Sequence, residues 1–254
     1  MAVDFVEGRG PVLDAISDSS DIKRLNSEQY KTRIEATYET VRLCRDQLSL
    51  DKALIGFAGS PWTVATYMIE GGASKNYAKV KSWAYRDDQS FNTLIKIVTR
   101  ATIDHLSAQI DHGADAVKLF DSWAGILTHQ QYEEFGMKYV HKICDAIHEA
   151  PVTVFAKGAY SALETMKGLN CETIGLDWNM SISDAKTIFQ NQKTLQGNLD
   201  PCVLYGDYNL IEHKTKEMLN SFAGHRHIAN LGHGVYPDVN PDHVKCFIET
   251  VKSN

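Results

Sequence analysis

The sequence predicts an α/β fold in which short buried strands alternate with longer amphipathic helices. Six short apolar segments have the length and composition of strands buried on both faces, which is typical of a parallel sheet. Segments with helical periodicity lie between them, and such alternation produces right-handed βαβ units. No G-x-G-x-x-G or G-x-x-x-x-G-K-[ST] phosphate loop follows an early strand. This favours a closed (β/α)8 barrel over an open doubly wound sheet.

The chain begins with an irregular arm over residues 1–26, followed by a predicted helix over about 27–48, and neither contains a convincing strand. No repeat or linker divides the rest, so residues 1–254 are predicted to form a single domain. A complete barrel needs two more strands than the sequence offers. The six predicted strands are Ala53–Phe57, Ala116–Phe120, Val152–Ala156, Thr173–Asp177, Thr194–Gly197 and His227–Leu231.

The predicted helices have clear faces and clear starts. Apolar residues recur every four positions over 94–110, and segments 127–149 and 181–191 show similar patterns. This spacing places an apolar stripe on one side of each helix. Three helix starts combine an N-cap residue with proline at the first helical position, namely Ser60-Pro61, Asp200-Pro201 and Asn240-Pro241.

Composition excludes several classes of protein. The 254 residues are 43% hydrophobic, which rules out a disordered chain. No run approaches the ~18 apolar residues of a membrane span, and the N-terminus lacks the apolar stretch of a signal peptide. The net charge of −6 provides no basic footprint for nucleic acid. Five widely spaced cysteines without a Cys-x-x-Cys pair argue against a disulfide framework and favour a reducing, cytoplasmic setting.

In a barrel, the chemistry lies on the loops that follow the strands, and unusual residues gather there in this sequence. Ser60 and Tyr67 follow the first predicted strand, where they suit either an N-cap with a packing aromatic or a binding loop. Asp121 and Ser122 follow the second strand, where a hydrogen-bonded turn and a ligand contact are equally good interpretations. His233 lies between two glycines after the last strand, free of steric cover, and it titrates near neutrality.

The sequence contains few other candidates for catalytic or metal-binding residues. Asp177 and Asp200 could act as acids or bases, but an Asp at a strand end more commonly caps a helix. There is no G-x-S-x-G nucleophile elbow. There is also no H-E-x-x-H or other close His/Cys set, so we predict no metal site.

Taken together, these loops resemble the motifs of uroporphyrinogen decarboxylase. The resemblance runs in order over essentially the whole chain, which makes it far more specific than a lone glycine pattern. The matching stretches are Gly56–Thr63, Thr66–Gly72, Phe120–Gly125, Gly175–Trp178, Leu195–Pro201 and His227–Asp238.

The resemblance implies a distorted (β/α)8 barrel, usually a homodimer, that uses no metal and no organic cofactor. The family removes CO2 from the four acetate side chains of uroporphyrinogen III, giving coproporphyrinogen III for haem and chlorophyll synthesis. By motif match, Tyr67, Ser122 and His233 fall on substrate-contacting positions. Phe57 and Phe120 fall on the apolar wall against the macrocycle.

The sequence departs from the family at its start. The family's Arg-Gln-Ala-Gly-Arg-Tyr motif, which binds carboxylates, and its Phe-Ser-Asp-Ile-Leu motif, which carries the catalytic Asp, are both missing. Asp21 lies in a similar Ser-Asp-Ile sequence but in the wrong place, so we do not assign it as the catalytic Asp. We therefore expect about the first two β/α units, at least ~60 residues, to be missing. Weak or no decarboxylase activity is expected from this chain alone.

Two alternatives remain. The zinc-dependent corrinoid methyltransferases share the fold and carry a His-x-Cys ligand pair after a middle strand. The corresponding stretch here, Phe155–Gly158, has neither residue, which argues against this assignment. The other alternative is a non-catalytic chain that binds porphyrinogen or pairs with a complete subunit.

Overall fold

A parallel sheet of six strands forms the centre of the protein. The computed structural model describes residues 3–6, 10–25, 29–72 and 74–254. The strands pair in chain order, each parallel to the next, as they do in a barrel. They are β3 (Ile55–Gly59), β4 (Ala116–Asp121), β5 (Val152–Ala156), β6 (Thr173–Gly175), β7 (Thr194–Leu199) and β8 (His227–Leu231).

This sheet confirms the predicted α/β class and all six predicted strands. Parallel pairing of the strands in chain order is typical of a barrel, whereas a doubly wound sheet reverses its order partway. Small shifts occur at the strand ends. β3 starts two residues later than predicted, and β7 continues to Leu199. In the described part of the chain, β3 and β8 are the edges of an open, partial barrel.

Helices cover the outer face of the sheet and connect its strands. The predicted N-caps Ser60, Asp200 and Asn240 are confirmed, each accepting a hydrogen bond from a backbone N–H in the first turn. The helices are α1 (Ser19–Ile22), α2 (Gln29–Gln47), α3 (Pro61–Glu70), α4 (Ala78–Arg86), α5 (Asp88–Asp111), α6 (His129–Tyr132), α7 (Lys138–Cys144), α8 (Leu163–Met166), α9 (Ile182–Phe189), α10 (Tyr208–Ser221) and α11 (Pro241–Lys252). Short 3₁₀ segments occur at Ala124–Ile126, Tyr160–Ala162 and Pro201–Tyr205, and a π-helical turn spans Glu133–Met137.

The N-terminal arm contains two strands, so the prediction of an arm without strands was wrong. β1 (Val3–Val6) and β2 (Gly10–Leu13) form an antiparallel pair that is separate from the central sheet. Strands of four residues are too short for an alternating pattern to stand out. The arm is also held by tertiary contacts, because the Ile16 amide donates to the Met68 carbonyl at 2.8 Å and the Ile16 side chain is fully buried.

Alternation along each strand separates the two faces of the sheet. On β4, Val117 and Leu119 are fully buried and pack into the core formed with the helices. Lys118 and Phe120 point to the opposite, inner face because successive side chains alternate. In the ranges that the structure covers, every helix is too short or too polar to cross a lipid bilayer.

Candidate active site

Four rings form a row across the inner face of the sheet, near the carboxyl ends of its strands. The ring centroids of Phe57 and Phe120 lie 6.0 Å apart, and those of Phe120 and Phe155 are also 6.0 Å apart, both pairs edge to face. The His233 ring stacks on Phe155 at 6.2 Å with an interplanar angle of 18°. We call these four residues the aromatic row. It provides an apolar aromatic surface that ends in an imidazole.

Phe57 is the exposed end of the aromatic row, with 61% of its surface accessible. Its backbone is fixed by the buried Gln109 of α5. The Gln109 amide group donates to the Phe57 carbonyl and accepts from the Phe57 N–H, both at 3.0 Å. These bonds satisfy backbone groups on the edge strand β3 and hold the exposed ring in place.

His233 is half-buried, which contradicts the expectation of a histidine without steric cover. Its ring lies against Phe155 and 5.9 Å from the Trp178 ring. Burial lowers the pKa of His233, and the nearby Lys157 cation acts in the same direction, while Asp177 opposes them. The neutral imidazole is therefore favoured near neutral pH.

The loop that carries His233 packs closely because residue 232 is glycine. A Cβ atom at Gly232 would lie 2.2 Å from the Trp178 backbone nitrogen, whereas a Cβ at Gly234 would meet nothing within 4 Å. The first glycine therefore permits a close approach between two loops.

Tyr67 lies in a second aromatic group, away from the aromatic row. Its ring is 6.0 Å from that of Trp123, which in turn lies 5.1 Å from Tyr77. The buried indole N–H of Trp123 has no hydrogen-bond partner in the described structure. Ser122 is half-buried and directly follows β4 in the chain. The structure thus brings Phe57, Phe120 and His233 into one row and leaves Tyr67 beside Trp123.

Asp121 belongs to the outer face of the sheet. It is 1% exposed, and its carboxylate accepts from Thr63 Oγ1 at 2.7 Å and from the Tyr132 hydroxyl at 3.1 Å. Burial raises the pKa of Asp121, and hydrogen bonds from Thr63, Ser60 and Tyr132 oppose that rise. Of the two interpretations of this loop, the geometry matches the hydrogen-bonded anchor.

Two other strand-end carboxylates also have structural partners. Asp200 caps the 3₁₀ segment that follows it by accepting from the Cys202 N–H at 2.8 Å. Asp177 is buried and accepts from the Gly158 N–H at 2.8 Å through one oxygen. Its other oxygen has no partner in the described structure. Asp21 lies in α1, where its carboxylate accepts from the Ser17 N–H and pairs with Arg24.

Sequence reasoning missed Lys118, a cation inside the barrel. Its Nζ donates to Gln196 Oε1 at 2.5 Å and lies 4.9 Å from the Phe120 ring centroid and 5.4 Å from that of Phe155. A signal was present, because Lys118 is a charged residue inside an otherwise apolar strand. The predicted strand Ala116–Phe120 was interpreted from its overall hydrophobicity, so its one charged position was overlooked.

The last observations concern possible metal ligands and the cysteines. Among the described residues, no three His, Cys, Asp or Glu side chains come together in a way that could hold a metal ion. All five cysteines are free thiols, and two of them, Cys144 and Cys171, are buried.

The fold defines a barrel-type α/β protein, and its candidate binding surface lies at the carboxyl ends of the strands. A solved methyltransferase from Methanosarcina mazei has this fold, with a TM-score of 0.80 at 18% identity. The superposition covers 99% of the present chain and 75% of the methyltransferase. At this identity the likeness concerns the fold alone.

Sequence comparison identifies the family. The family profile of uroporphyrinogen decarboxylase (URO-D) matches residues 1–254. A uroporphyrinogen decarboxylase from Pseudoalteromonas atlantica is 39% identical over 97% of the chain, and one from Edwardsiella ictaluri is 40% identical over the same share. The chain spans 72% of the length of each of these relatives. The protein belongs to the uroporphyrinogen decarboxylase family.

Proposed function

We propose that the protein acts on uroporphyrinogen III, removing CO2 from its four acetate side chains to give coproporphyrinogen III. The observation that carries this proposal is the family match over the whole chain. The aromatic row adds to it, since an apolar surface that ends in a polar group suits a bulky, carboxylate-bearing tetrapyrrole.

The reaction needs stabilisation of charge on a pyrrole ring. A proton adds to a ring carbon and makes a cation. The bond between the acetate methylene and its carboxylate then breaks, CO2 leaves, and the bonding electrons neutralise the ring. The methylene takes up a proton to become a methyl group, and the ring loses the one it gained. Polar groups held in place within a low-dielectric cavity favour such charge development.

The candidate residues have side chains suited to parts of this task. Phe57 and Phe120 would pack against the macrocycle, while Tyr67, Ser122 and His233 would donate hydrogen bonds to its carboxylates. A neutral His233 still donates through one ring nitrogen. An approaching carboxylate would raise its pKa and strengthen that bond. We assign no residue of this chain as the proton donor, because the 254 residues lack the family's Asp motif.

The test is direct. Uroporphyrinogen III is incubated with the purified 254-residue protein in the absence of oxygen, and the products are oxidised and separated by their number of carboxylates. We expect tight binding and slow formation of products with seven to four carboxylates. If neither decarboxylated products above the protein-free background nor binding is found, the proposal is wrong. Binding without turnover would favour the non-catalytic porphyrinogen-binding alternative.

We also propose that the protein pairs with a second copy of itself, as the family resemblance implies. Light scattering coupled to size-exclusion chromatography measures this directly, and twice the 28.4 kDa chain mass is expected. A mass that stays at one chain across the accessible concentration range contradicts the pairing.

A further inference from the structure

Lys118 is a cation placed where a ligand would bind, and the proposed chemistry does not yet use it. The residue lies on the inner face of β4 and reaches Gln196 on β7. These two strands are not neighbours in the sheet, since β5 and β6 lie between them. The contact between the Lys118 ammonium and the Gln196 amide therefore crosses the interior of the barrel.

The ammonium lies close to the aromatic row. Its Nζ is 4.9 Å from the Phe120 centroid and 5.4 Å from the Phe155 centroid. These are the two central rings of the row. A group bound against the row would therefore lie within the electrostatic reach of Lys118, with little water between to screen it.

Lys118 is incompletely partnered. An ammonium group offers three N–H donors, and Gln196 Oε1 accepts from one of them at 2.5 Å. No ion pair links it to an Asp or Glu among the residues whose side chains the structure describes. A half-buried cation that keeps spare donors and lacks a counterion suits an anionic ligand.

We propose that Lys118 binds a carboxylate of the tetrapyrrole and fixes the macrocycle on the aromatic row. This inference rests on the proposed function, and it adds a cation from the barrel interior to the candidate contacts. The two aromatic faces attract the ammonium group weakly through their quadrupoles. A ligand carboxylate would add the acceptor and the negative charge that the ammonium group lacks. The position near the middle of β4 makes the contact rigid, since strand residues hold their geometry better than loop residues.

The electrostatics of the site agree with this role. Burial lowers the pKa of Lys118 to about 8. The residue therefore remains mostly protonated at neutral pH while losing much of its hydration. Binding a carboxylate displaces fewer water molecules from a partly buried ammonium group than from an exposed one. Less free energy is therefore lost in dehydration when Lys118 binds an anion.

The experiment compares four proteins by fluorescence titration with uroporphyrin III, which has eight carboxylates, and coproporphyrin III, which has four. They are the unchanged chain, Lys118→Met, Lys118→Arg and Lys142→Met. The last is a matched control, because Lys142 Nζ also lies over an aromatic ring, 5.7 Å from the Tyr139 centroid, but is exposed on α7 outside the barrel. Turnover of uroporphyrinogen III is measured on the same samples.

We expect Lys118→Met to weaken uroporphyrin binding by roughly 10- to 100-fold, the range for a charged hydrogen bond. Lys118→Arg should restore most of the affinity, and Lys142→Met should change nothing. Thermal unfolding controls for folding, and the Met variant should be at least as stable as the unchanged chain. Should Lys118→Met not fold, Lys118→Gln removes the charge while keeping a polar group beside Gln196.

The outcomes separate this inference from the proposed function. Unaltered affinity in the neutral Lys118 variants, with turnover intact, overturns the role of Lys118 and leaves the function standing. Weakened affinity without turnover by any protein supports Lys118 as a carboxylate contact and overturns the decarboxylase proposal. If the unchanged chain neither binds either porphyrin nor turns over uroporphyrinogen III, both proposals are overturned.

Discussion

The two faces of strand β4 differ in the hydrogen-bond partners that they provide for a buried charged side chain. On the outer face, the Asp121 carboxylate is 1% exposed and accepts hydrogen bonds from Thr63 and Tyr132. On the inner face, the Lys118 ammonium has one hydrogen bond, to Gln196, and two aromatic neighbours. Three positions along one strand thus separate a fully partnered carboxylate from a cation with spare donors.

In this barrel the outer face of β4 packs against helices and serves stability, whereas the inner face is the candidate binding face. Burying a polar group costs free energy unless its partners are provided, and the helices α3 and α6 provide them for Asp121. The inner face leaves Lys118 without a counterion, and this costs stability. Such a cost is expected where a surface is built to bind a ligand. The four predictions that follow test this contrast.

The largest expected effect concerns the outer face. Asp121→Ala removes the acceptor of two buried hydroxyl groups, so we expect a loss of about 3 kcal/mol in the free energy of unfolding. Asp121→Asn keeps one acceptor and should lose less. Urea titration measures both, with Asp51→Ala in an exposed loop as the control that changes stability little. If Asp121→Ala unfolds at the same urea concentration as the control, Asp121 is no anchor.

The second effect concerns Lys118 and pH. Burial lowers its folded pKa from 10.5 to about 8, so between these values the unfolded chain binds more protons and the folded state gains stability as pH rises. Lys118→Met lacks this penalty and should be the more stable protein at pH 7, by up to about 3 kcal/mol. The difference in the free energy of unfolding between the two proteins should become smaller towards pH 10. Urea titrations at several pH values measure this difference. If the difference does not change with pH, burial of the Lys118 charge does not destabilise the protein.

The third effect tests the close packing around His233. Gly232→Ala places a methyl group 2.2 Å from the Trp178 nitrogen, so we expect a loss of about 1–2 kcal/mol. Gly234→Ala is the matched control, since its Cβ meets nothing within 4 Å. Porphyrin binding should weaken only in the first variant, because His233 is displaced. Equal effects in both variants would mean that the close approach is unimportant.

The smallest stability effect is expected at the exposed end of the aromatic row. Phe57 is 61% exposed, so Phe57→Ala should lower stability by less than about 1 kcal/mol. Its porphyrin affinity should nevertheless fall, since the ring offers apolar surface to a ligand. Leu50→Ala, at a residue that is 99% exposed, controls for loss of surface hydrophobicity. A large loss of stability with unchanged affinity would make Phe57 a structural residue.

The sequence predicted the sheet well because its signals are local. Each strand is a short apolar run, and each confirmed N-cap is a dipeptide such as Ser60-Pro61 that acts within one helical turn. The antiparallel pair of β1 and β2 escaped prediction, since its strands are short and the arm is held by α3. Phe57, Phe120 and His233 were singled out by family motifs, but nothing in those motifs showed that Phe155 joins them into a row.

The sequence by itself determined the α/β class, the order of six strands and the family, because strand and helix periodicity and long ordered motifs are properties of the chain. Only the tertiary structure decided which polar residues are partnered and which are free to meet a ligand. Asp121 and Lys118 are both charged residues in one apolar strand, and sequence alone does not distinguish their roles. Strand alternation sends them to opposite faces. The packing of distant elements then supplies two hydroxyl partners to Asp121 and leaves Lys118 with one hydrogen bond, to Gln196.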